Sequence, residues 1–374
     1  MKIGILGGGQ LARMIIEETG KFGFTYRILS DVEDSPAGQL CSEQVTGKFS
    51  DYEALKKFAS GCDIVTLENE FIGSGYVKYI EDLGIKVLPG SGIVALIQDK
   101  LLQKRNLKDA GIPVPSFCEV KTPGDVEKFA GDYGYPVILK SRTMGYDGKG
   151  NYRIDGKNDI ETALRTLSKR GELMCEEFVD FRRELAVQCV RSVTGEAGIY
   201  PVVESIQKDH ICNVVKANGD FDPALTKRIN SIAETILSEL NYTGVLAIEL
   251  FEKENGDVLV NELAPRVHNT GHYTIEGCYV SQFENHIRAV AGLPLGSCGL
   301  KCGAAVMINI LGERNGKASP EGLGEFLKEK NAYIHIYGKK ETRTGRKMGH
   351  ITVTGGDPSE VLHKAENLHS KIKI

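Results

Sequence analysis

The chain has 374 residues, room for two or three domains that each bury a core of their own. With 41% hydrophobic and 26% charged residues it has the composition of a soluble globular protein, which excludes a disordered or fibrous chain. Lys+Arg 46 against Asp+Glu 50 leaves a net charge of −4, so no basic excess points to nucleic acid or to an anionic membrane. The opening strand-like run, residues 1–6, is too short for the apolar stretch of a signal peptide, and no run of about 18 apolar residues occurs anywhere. Up to about residue 90, apolar runs alternate with a helical stretch: 2–6, then 10–22, then 26–29, 63–67 and 86–88. That alternation predicts a parallel α/β layer. Its first turn, Gly7-Gly-Gly-Gln10-Leu11-Ala12, reads G-x-G-x-x-A, and Asp31 follows about twenty residues on. The dinucleotide fingerprint is met on paper, which makes an NAD-dependent oxidoreductase one reading. The other is a glycine-rich turn holding a different phosphate or none.

From about 99 to 293 strand-like runs are longer and separated by charged helices. The clearest predicted helix covers 223–240: Ile229, Ile232, Ala233, Ile236, Leu237 and Leu240 repeat at helical spacing, Asp222 is placed to cap it and Pro223 to start it. Ala291-Gly-Leu-Pro-Leu-Gly-Ser-Cys-Gly299 reads as a linker. A last unit follows, with strands over 304–311, 333–337 and 350–354 and a closing helix from Pro358. The expected units are therefore 1–98, 99–293 and 294–374. Nine scattered cysteines without a Cys-x-x-Cys pair suggest neither a disulfide framework nor a zinc ribbon, and a reducing cytoplasm is expected. Cys298 and Cys302 stand close together but lack a neighbouring His, so no metal is assigned to them.

Three segments carry chemistry. Pro136-Val-Ile-Leu-Lys140 ends a strand in lysine, and Gly145-Tyr-Asp-Gly148-Lys149-Gly150 follows, a loop whose backbone N–H groups and lysine suit phosphates. It lacks the G-K-[ST] of a Walker A loop and the companion motifs of a protein kinase. Next, strands over 245–252 and 258–263 flank Asn255-Gly256, the preferred two-residue hairpin turn. Such a turn sets Glu254 opposite Asp257, Phe251 opposite Val260 and Glu249 opposite Glu262. Two carboxylates with Cβ atoms about 4.5–5.5 Å apart repel, and either a divalent cation resolves the conflict or the pair is solvated on a wet face. Oxygen ligands without Cys or His select Mg²⁺ or Mn²⁺. Finally, Arg266, His268, Asn269 and His272 crowd behind Glu262, and a basic run ends the molecule's motif set: Tyr337-Gly-Lys339, Arg343, Arg346-Lys347-Met-Gly-His350.

In order, the strand lysine, the glycine loop, Glu176-Glu177-Phe178-Val179, Glu184 and the Glu249/Glu262 pair resemble the ATP-grasp fold over the whole chain. Gly7-Gly-Gly-Gln10-Leu11-Ala12, the glycine loop, Asn261-Glu-Leu-Ala-Pro-Arg-Val-His-Asn269 and Gly345-Arg-Lys-Met-Gly-His350 are similar to the 5-(carboxyamino)imidazole ribonucleotide synthases of purine biosynthesis, and the last two motifs are specific to them. The resemblance implies an α/β and α+β, three-domain architecture: an N-terminal Rossmann-like parallel sheet, a central ATP-grasp unit and a small C-terminal α+β unit. It implies an ATP-dependent carbon–nitrogen ligase that joins bicarbonate to aminoimidazole ribonucleotide, acting as a homodimer. Lys100 and Lys140 would meet the ATP phosphates under a flap of Gly145, Tyr146, Asp147, Gly148, Lys149, Gly150 and Asn151. Glu176, Glu177, Phe178 and Val179 would hold adenine, Glu184 the ribose, and Asn261 and Glu262 would complete the ATP and metal site with Glu249. Arg266, His268 and Asn269 would take bicarbonate or carboxyphosphate. Gly9, Gln10 and Leu11, with Lys339, Arg346 and Lys347, would take the ribotide. Two positions depart from the family pattern. Gln207 stands where the family often has the His of Glu-Asn-x-His, and Ala264 stands where many ATP-grasp enzymes place an Asn. A related ligase such as a formate-using transformylase, or a silent nucleotide sensor, are the remaining alternatives.

Overall fold

A computed structural model of the chain describes residues 1–145, 150–219 and 221–374. The expected N-terminal layer is present as a parallel sheet in the order Glu43–Thr46, Thr25–Ser30, Lys2–Leu6, Ile64–Leu67. Three of its strands, Lys2–Leu6, Thr25–Ser30 and Ile64–Leu67, are buried almost end to end, as strands covered on both faces must be, while Glu43–Thr46, at one edge, is mostly not. The run at 86–88 forms no strand, only a single parallel bridge from Val87 to Val65. The stretch 10–22 divides into the helix Gln10–Thr19 and a 3-10 turn, Gly20–Phe22.

The central unit holds two sheets. A four-stranded antiparallel sheet runs Phe117–Val120, Leu173–Glu177, Val137–Ser141, Asn151–Ile154. A nine-stranded sheet begins at Val258–Ala264, passes through Gly244–Glu252, Arg183–Arg191, Val203–Lys208 and Ile211–Ala217, and continues into the C-terminal strands Ala304–Leu311, Lys347–Gly355 and Ala332–Ile336, with Ala197–Ile199 paired to Arg183–Arg191 off this path. The C-terminal unit thus shares its sheet with the central one: Val214 lies opposite Ile308, without a break at the 291–299 segment. Helix Pro223–Glu239 forms as its spacing predicts, with the Asp222 side chain accepting from the Ala224 N–H at 2.7 Å and Ile229, Ile232, Ala233, Ile236 and Leu237 buried against the large sheet.

The hairpin that carries Glu249 and Glu262 departs from its expected form in two places. Lys253 donates to the Asp257 carbonyl at 2.9 Å, so the loop is three residues, Glu254-Asn255-Gly256, closed by Gly256 at φ +82°. That slips the register by one, and Phe251 faces Leu259 instead of Val260. A bulge at Asn261 then adds the residue back, and Glu249 faces Glu262 after all.

Candidate active site

A cavity of about 580 Å³ is lined from both sheets and from the N-terminal unit, and a second of about 220 Å³ lies alongside, sharing Glu70, Gly145, Glu262, Arg266 and His268 with it. At one end, Lys140 terminates the inner run of its strand and sets Nζ 2.6 Å from Glu176 Oε2. Lys100 opens helix Lys100–Asp109, whose first turn is capped by the Asp99 carboxylate, and donates to Glu262. One turn on, Lys104 is almost fully buried, bonded to the Val260 carbonyl at 3.1 Å and 3.4 Å from Glu176 Oε1. Burial, with the nearby Lys140 charge adding to it, pulls its pKa down to about 8 against the pull of Glu176. The sequence reading missed Lys104, although lysines four residues apart on one helix face were the available signal.

Glu176, Glu177, Phe178 and Val179 all line the cavity, with the two glutamate side chains engaged inside the protein. Glu176 is held by the lysines, and Glu177 Oε1 accepts from the Ser116 N–H at 2.9 Å. An aromatic wall stands there, of which the sequence reading named Phe178 but not Phe181 or Phe251. Phe178 lies under Arg153 at 4.7 Å, and Phe181 is stacked on Phe251 at 4.7 Å. Val179, Glu184, Gln207, Asn151 and Gly145 line the same cavity, and Gln207 bonds Glu184. Burial raises the Glu184 carboxyl. Gly150 does not line it; at φ +105° a Cβ there would lie 3.1 Å from Gly145 Cα, so only glycine closes the loop so tightly. Tyr146, Asp147, Gly148 and Lys149 lie outside the described residues.

The bulge at Asn261 has a consequence for the acids. Strict alternation would send Asn261 and Glu262 to opposite faces, but both line the cavity with Glu249. Glu249 is raised, by burial first and then by Glu262 and Glu184. Burial acts on Glu262 too, yet Lys100, by charge and hydrogen bond, and Lys140 outweigh it and hold Glu262 low. Asn261 Oδ1 is buried without a partner. Two carboxylates and an orphaned amide oxygen fit a hard divalent cation.

Beyond the acids, Arg266 grips Glu70 through Nε and Nη2 and donates from Nη1 to the Val267 carbonyl at 2.9 Å. His268 sets Nε2 3.7 Å from Glu249 and Nδ1 2.9 Å from Thr270 Oγ1. Burial, then Arg266, push its pKa down to about 3, so it stays neutral at pH 7. Asn269 Oδ1 accepts from Asn309 at 3.1 Å while its Nδ2 is buried without a partner. His272 completes this wall.

Gln10 and Leu11 line the cavity, but Gly9 does not. Its N–H donates to Glu68 Oε1 at 3.0 Å, and Ala12 N–H reaches Oε2 at 3.4 Å. A Cβ on Gly7 would lie 2.4 Å from the Glu68 side chain. The glycines therefore admit a carboxylate from the same chain, which fills the helix N-terminus that a dinucleotide pyrophosphate would need. That overturns the NAD reading of the turn. Of the C-terminal cations only Lys347 lines the cavity. Lys339 donates to the Lys347 carbonyl at 2.6 Å and Arg346 to the Glu341 carbonyl at 2.6 Å. Burial first, then the Arg346 charge, push Lys339 down to about 7 against the pull of Glu68.

Lys140→Ala is expected to weaken ATP binding at least tenfold, about 1.4 kcal/mol, because the lysine supplies charge to the cavity and little packing. Calorimetric titration of the folded variant showing unchanged affinity would remove it from the site.

The ribonucleotide synthetase preATP-grasp domain matches residues 1–98, the ATP-grasp domain 105–283 and the phosphoribosylaminoimidazole carboxylase C-terminal domain 305–364. An N5-carboxyaminoimidazole ribonucleotide synthase of Synechococcus elongatus is 36% identical, covering 99% of this chain and 94% of its own length. Among solved structures, the synthetase of Thermotoga maritima aligns with TM-score 0.89 and 41% identity over 100% of this chain and 98% of its own. The Aspergillus clavatus enzyme, in complex with ADP and 5-aminoimidazole ribonucleotide, aligns with TM-score 0.89 and 34% identity over 99% and 98%. With its lysine, acid and arginine wall between two sheets and its full length matched, the chain belongs to the N5-carboxyaminoimidazole ribonucleotide synthase family, ATP-grasp carbon–nitrogen ligases.

Proposed function

We propose that the chain uses ATP to join bicarbonate to the exocyclic amine of 5-aminoimidazole ribonucleotide, giving 5-(carboxyamino)imidazole ribonucleotide, ADP and phosphate. The observation that carries the reading is one cavity with a lysine-and-acid end suited to a nucleotide triphosphate and an Arg266–Glu70 end open to a second substrate. A bicarbonate oxygen takes the γ-phosphoryl group and ADP leaves. The amine nitrogen then bonds the carboxyl carbon, directly or after release as CO₂, the C–O bond to phosphate breaks and the amine gives up a proton.

Lys140 and Lys100 neutralise charge on the transferring group, and the fixed carboxylates beside them keep both lysines oriented before ATP arrives. Arg266, held by Glu70, and the unpartnered Asn269 Nδ2 would hold the oxyanion. Neutral His268 serves as a hydrogen-bonding group and not as a second cation. Glu249, Glu262 and Asn261 would hold Mg²⁺, which supplies charge neutralisation at the phosphates when bound. The crowded Lys339, Arg346 and Lys347 support a phosphate of the ribotide beside Gln10 and Leu11. Nine free thiols support a reducing, cytoplasmic setting, and no helix among the described residues is long and apolar enough to cross a membrane. The homodimer follows from the family likeness.

The test is ADP release with bicarbonate, with and without the ribotide. Release that requires both supports the proposal. Release driven by formate and a different ribotide, with none from bicarbonate, would favour the transformylase alternative. Within the proposal, Arg346→Ala is expected to raise KM for the ribotide about tenfold with kcat within threefold, the signature of lost ground-state binding. Lost ATP binding with an unchanged ribotide KM would reverse the assignment of ends.

A further inference from the structure

Away from the cavity lining, Glu276, His335 and His350 bring a potential ligand atom from each within 4.8 Å of the other two, the single such group among the described residues. His335 and His350 face each other across adjacent antiparallel strands, Ala332–Ile336 and Lys347–Gly355. Glu276 reaches them from helix Thr274–Gly277 of the central unit. Their polar atoms are poorly served. His335 Nε2 meets Glu276 Oε1 at 2.8 Å and His350 Nδ1 meets Tyr337 Oη at 3.0 Å, but Glu276 Oε2 and His350 Nε2 are buried with no partner. His350 has no exposed surface at all. A second carboxylate, Glu18, lies close enough to feel both Glu276 and His335, and is itself held by Ser281 at 2.6 Å. Two buried polar atoms without partners, in a group of two imidazoles and a carboxylate, are costly to the fold unless something binds there.

We propose that Glu276, His335 and His350 form a binding site for a borderline divalent cation of the Zn²⁺ class, which ties the C-terminal strands to the helix behind the active-site wall. Two nitrogens and one carboxylate oxygen are the donor set such a cation prefers over Mg²⁺. Tyr337 at Nδ1 is the outer partner that turns the lone pair of His350 toward Nε2. The two rings are stacked, centroids 4.5 Å apart and planes 11° from parallel. A shared cation lies in both ring planes, so one ring must turn. His335, with 24% of its side chain exposed, is the one free to do so. The tie reaches the reaction through His272, whose ring is 4.9 Å from that of His350 and which lines the cavity.

The test uses the full chain saturated with Mg²⁺ and ADP, so that the carboxylate site is filled. Cobalt(II) is titrated with visible absorption as the readout, and Zn²⁺ by calorimetry. One Co²⁺ per chain is expected, with the strong visible band of a low-coordinate nitrogen-containing site. His335→Gln and Glu276→Gln should each abolish the band and weaken Zn²⁺ at least about 100-fold, while both remain folded by circular dichroism. His335→Cys, which restores a soft ligand, should recover Zn²⁺ binding. No cobalt band in the saturated wild type, or a band unchanged in both Gln variants, would overturn the site.

Discussion

In chelator, Glu262→Gln is expected to be less stable than the parent and Glu249→Gln at least as stable, although the two carboxylates face each other across one hairpin. Repulsion between facing acids leads one to expect relief from removing either. The structure breaks the symmetry: Lys100 pairs with Glu262, while among the described residues Glu249 is approached by neutral His268 at 3.7 Å and by no lysine or arginine at salt-bridge distance. Losing Glu262 strands Lys100, whose side chain is 16% exposed, at a cost of about 1–3 kcal/mol. That is below the figure of about 3–5 kcal/mol for a fully buried pair, because Glu262 keeps 38% of its side chain exposed. The signs follow from the shifts. Glu249 is raised, so its burden on the fold grows as pH rises through the ordinary carboxylate range toward its elevated value, and Glu249→Gln gains most above that window. Glu262 is lowered, so its contribution is complete above the ordinary range and is lost on acidification. Mg²⁺-dependent ATP turnover should fall about 10²–10³-fold in both variants. Thermal melts in chelator across pH, with turnover over a Mg²⁺ series, decide it. Equal stability of the two variants would mean Lys100 does not choose between the acids, and full activity in either would remove that carboxylate from the cation site.

Much of the frame was legible because its signals are local. Helix Pro223–Glu239 was readable to within a residue, since spacing, cap and starting proline all lie inside it. The strand Glu43–Thr46 went unread because four residues with one buried side chain carry no alternation to detect. Continuity of the large sheet was also hidden: pairing Ile211–Ala217 with Ala304–Leu311 depends on contacts far apart in the chain. The facing of Glu249 and Glu262 was right through two errors that cancel, a turn one residue longer and a bulge one residue later. Turn preference is a matter of short-range chemistry, whereas the bulge answers to the cavity. Glu68 and Glu70 were missed for a related reason. They follow Ile64–Leu67 at the carboxyl end of a parallel strand, where ligands gather in α/β sheets, which was the available signal. Their partners, Gly9 and Arg266, lie 59 and 196 residues away.

Arg266→Ala is expected to lower kcat about 10²–10³-fold while ATP affinity, which we assign to the Lys140 end, stays within threefold. The guanidinium is held from two nitrogens by Glu70, and with side chains 14% and 22% exposed the pair is largely withdrawn from water. Lysine cannot reproduce that fork, so Arg266→Lys should recover little of the loss. The stranded Glu70 gives an independent readout. In the parent, burial raises its carboxyl but Arg266 more than compensates, so Glu70 stabilises the fold above the ordinary carboxylate range and loses that contribution as pH falls. Without Arg266 burial outweighs the remaining backbone hydrogen bond and the sign reverses: stability should fall as pH rises, making the variant relatively stronger at about pH 5.5 than at about pH 8. Urea unfolding at the two pH values measures the reversal. Adding Glu70→Gln should remove it without restoring kcat, because the amide needs no counterion yet cannot aim an arginine that is absent. If Arg266→Ala instead kept its kcat and showed the same pH slope as the parent, the pair would be a strut between the N-terminal and central units, and the oxyanion would have to be held by Asn269 and Lys347 alone.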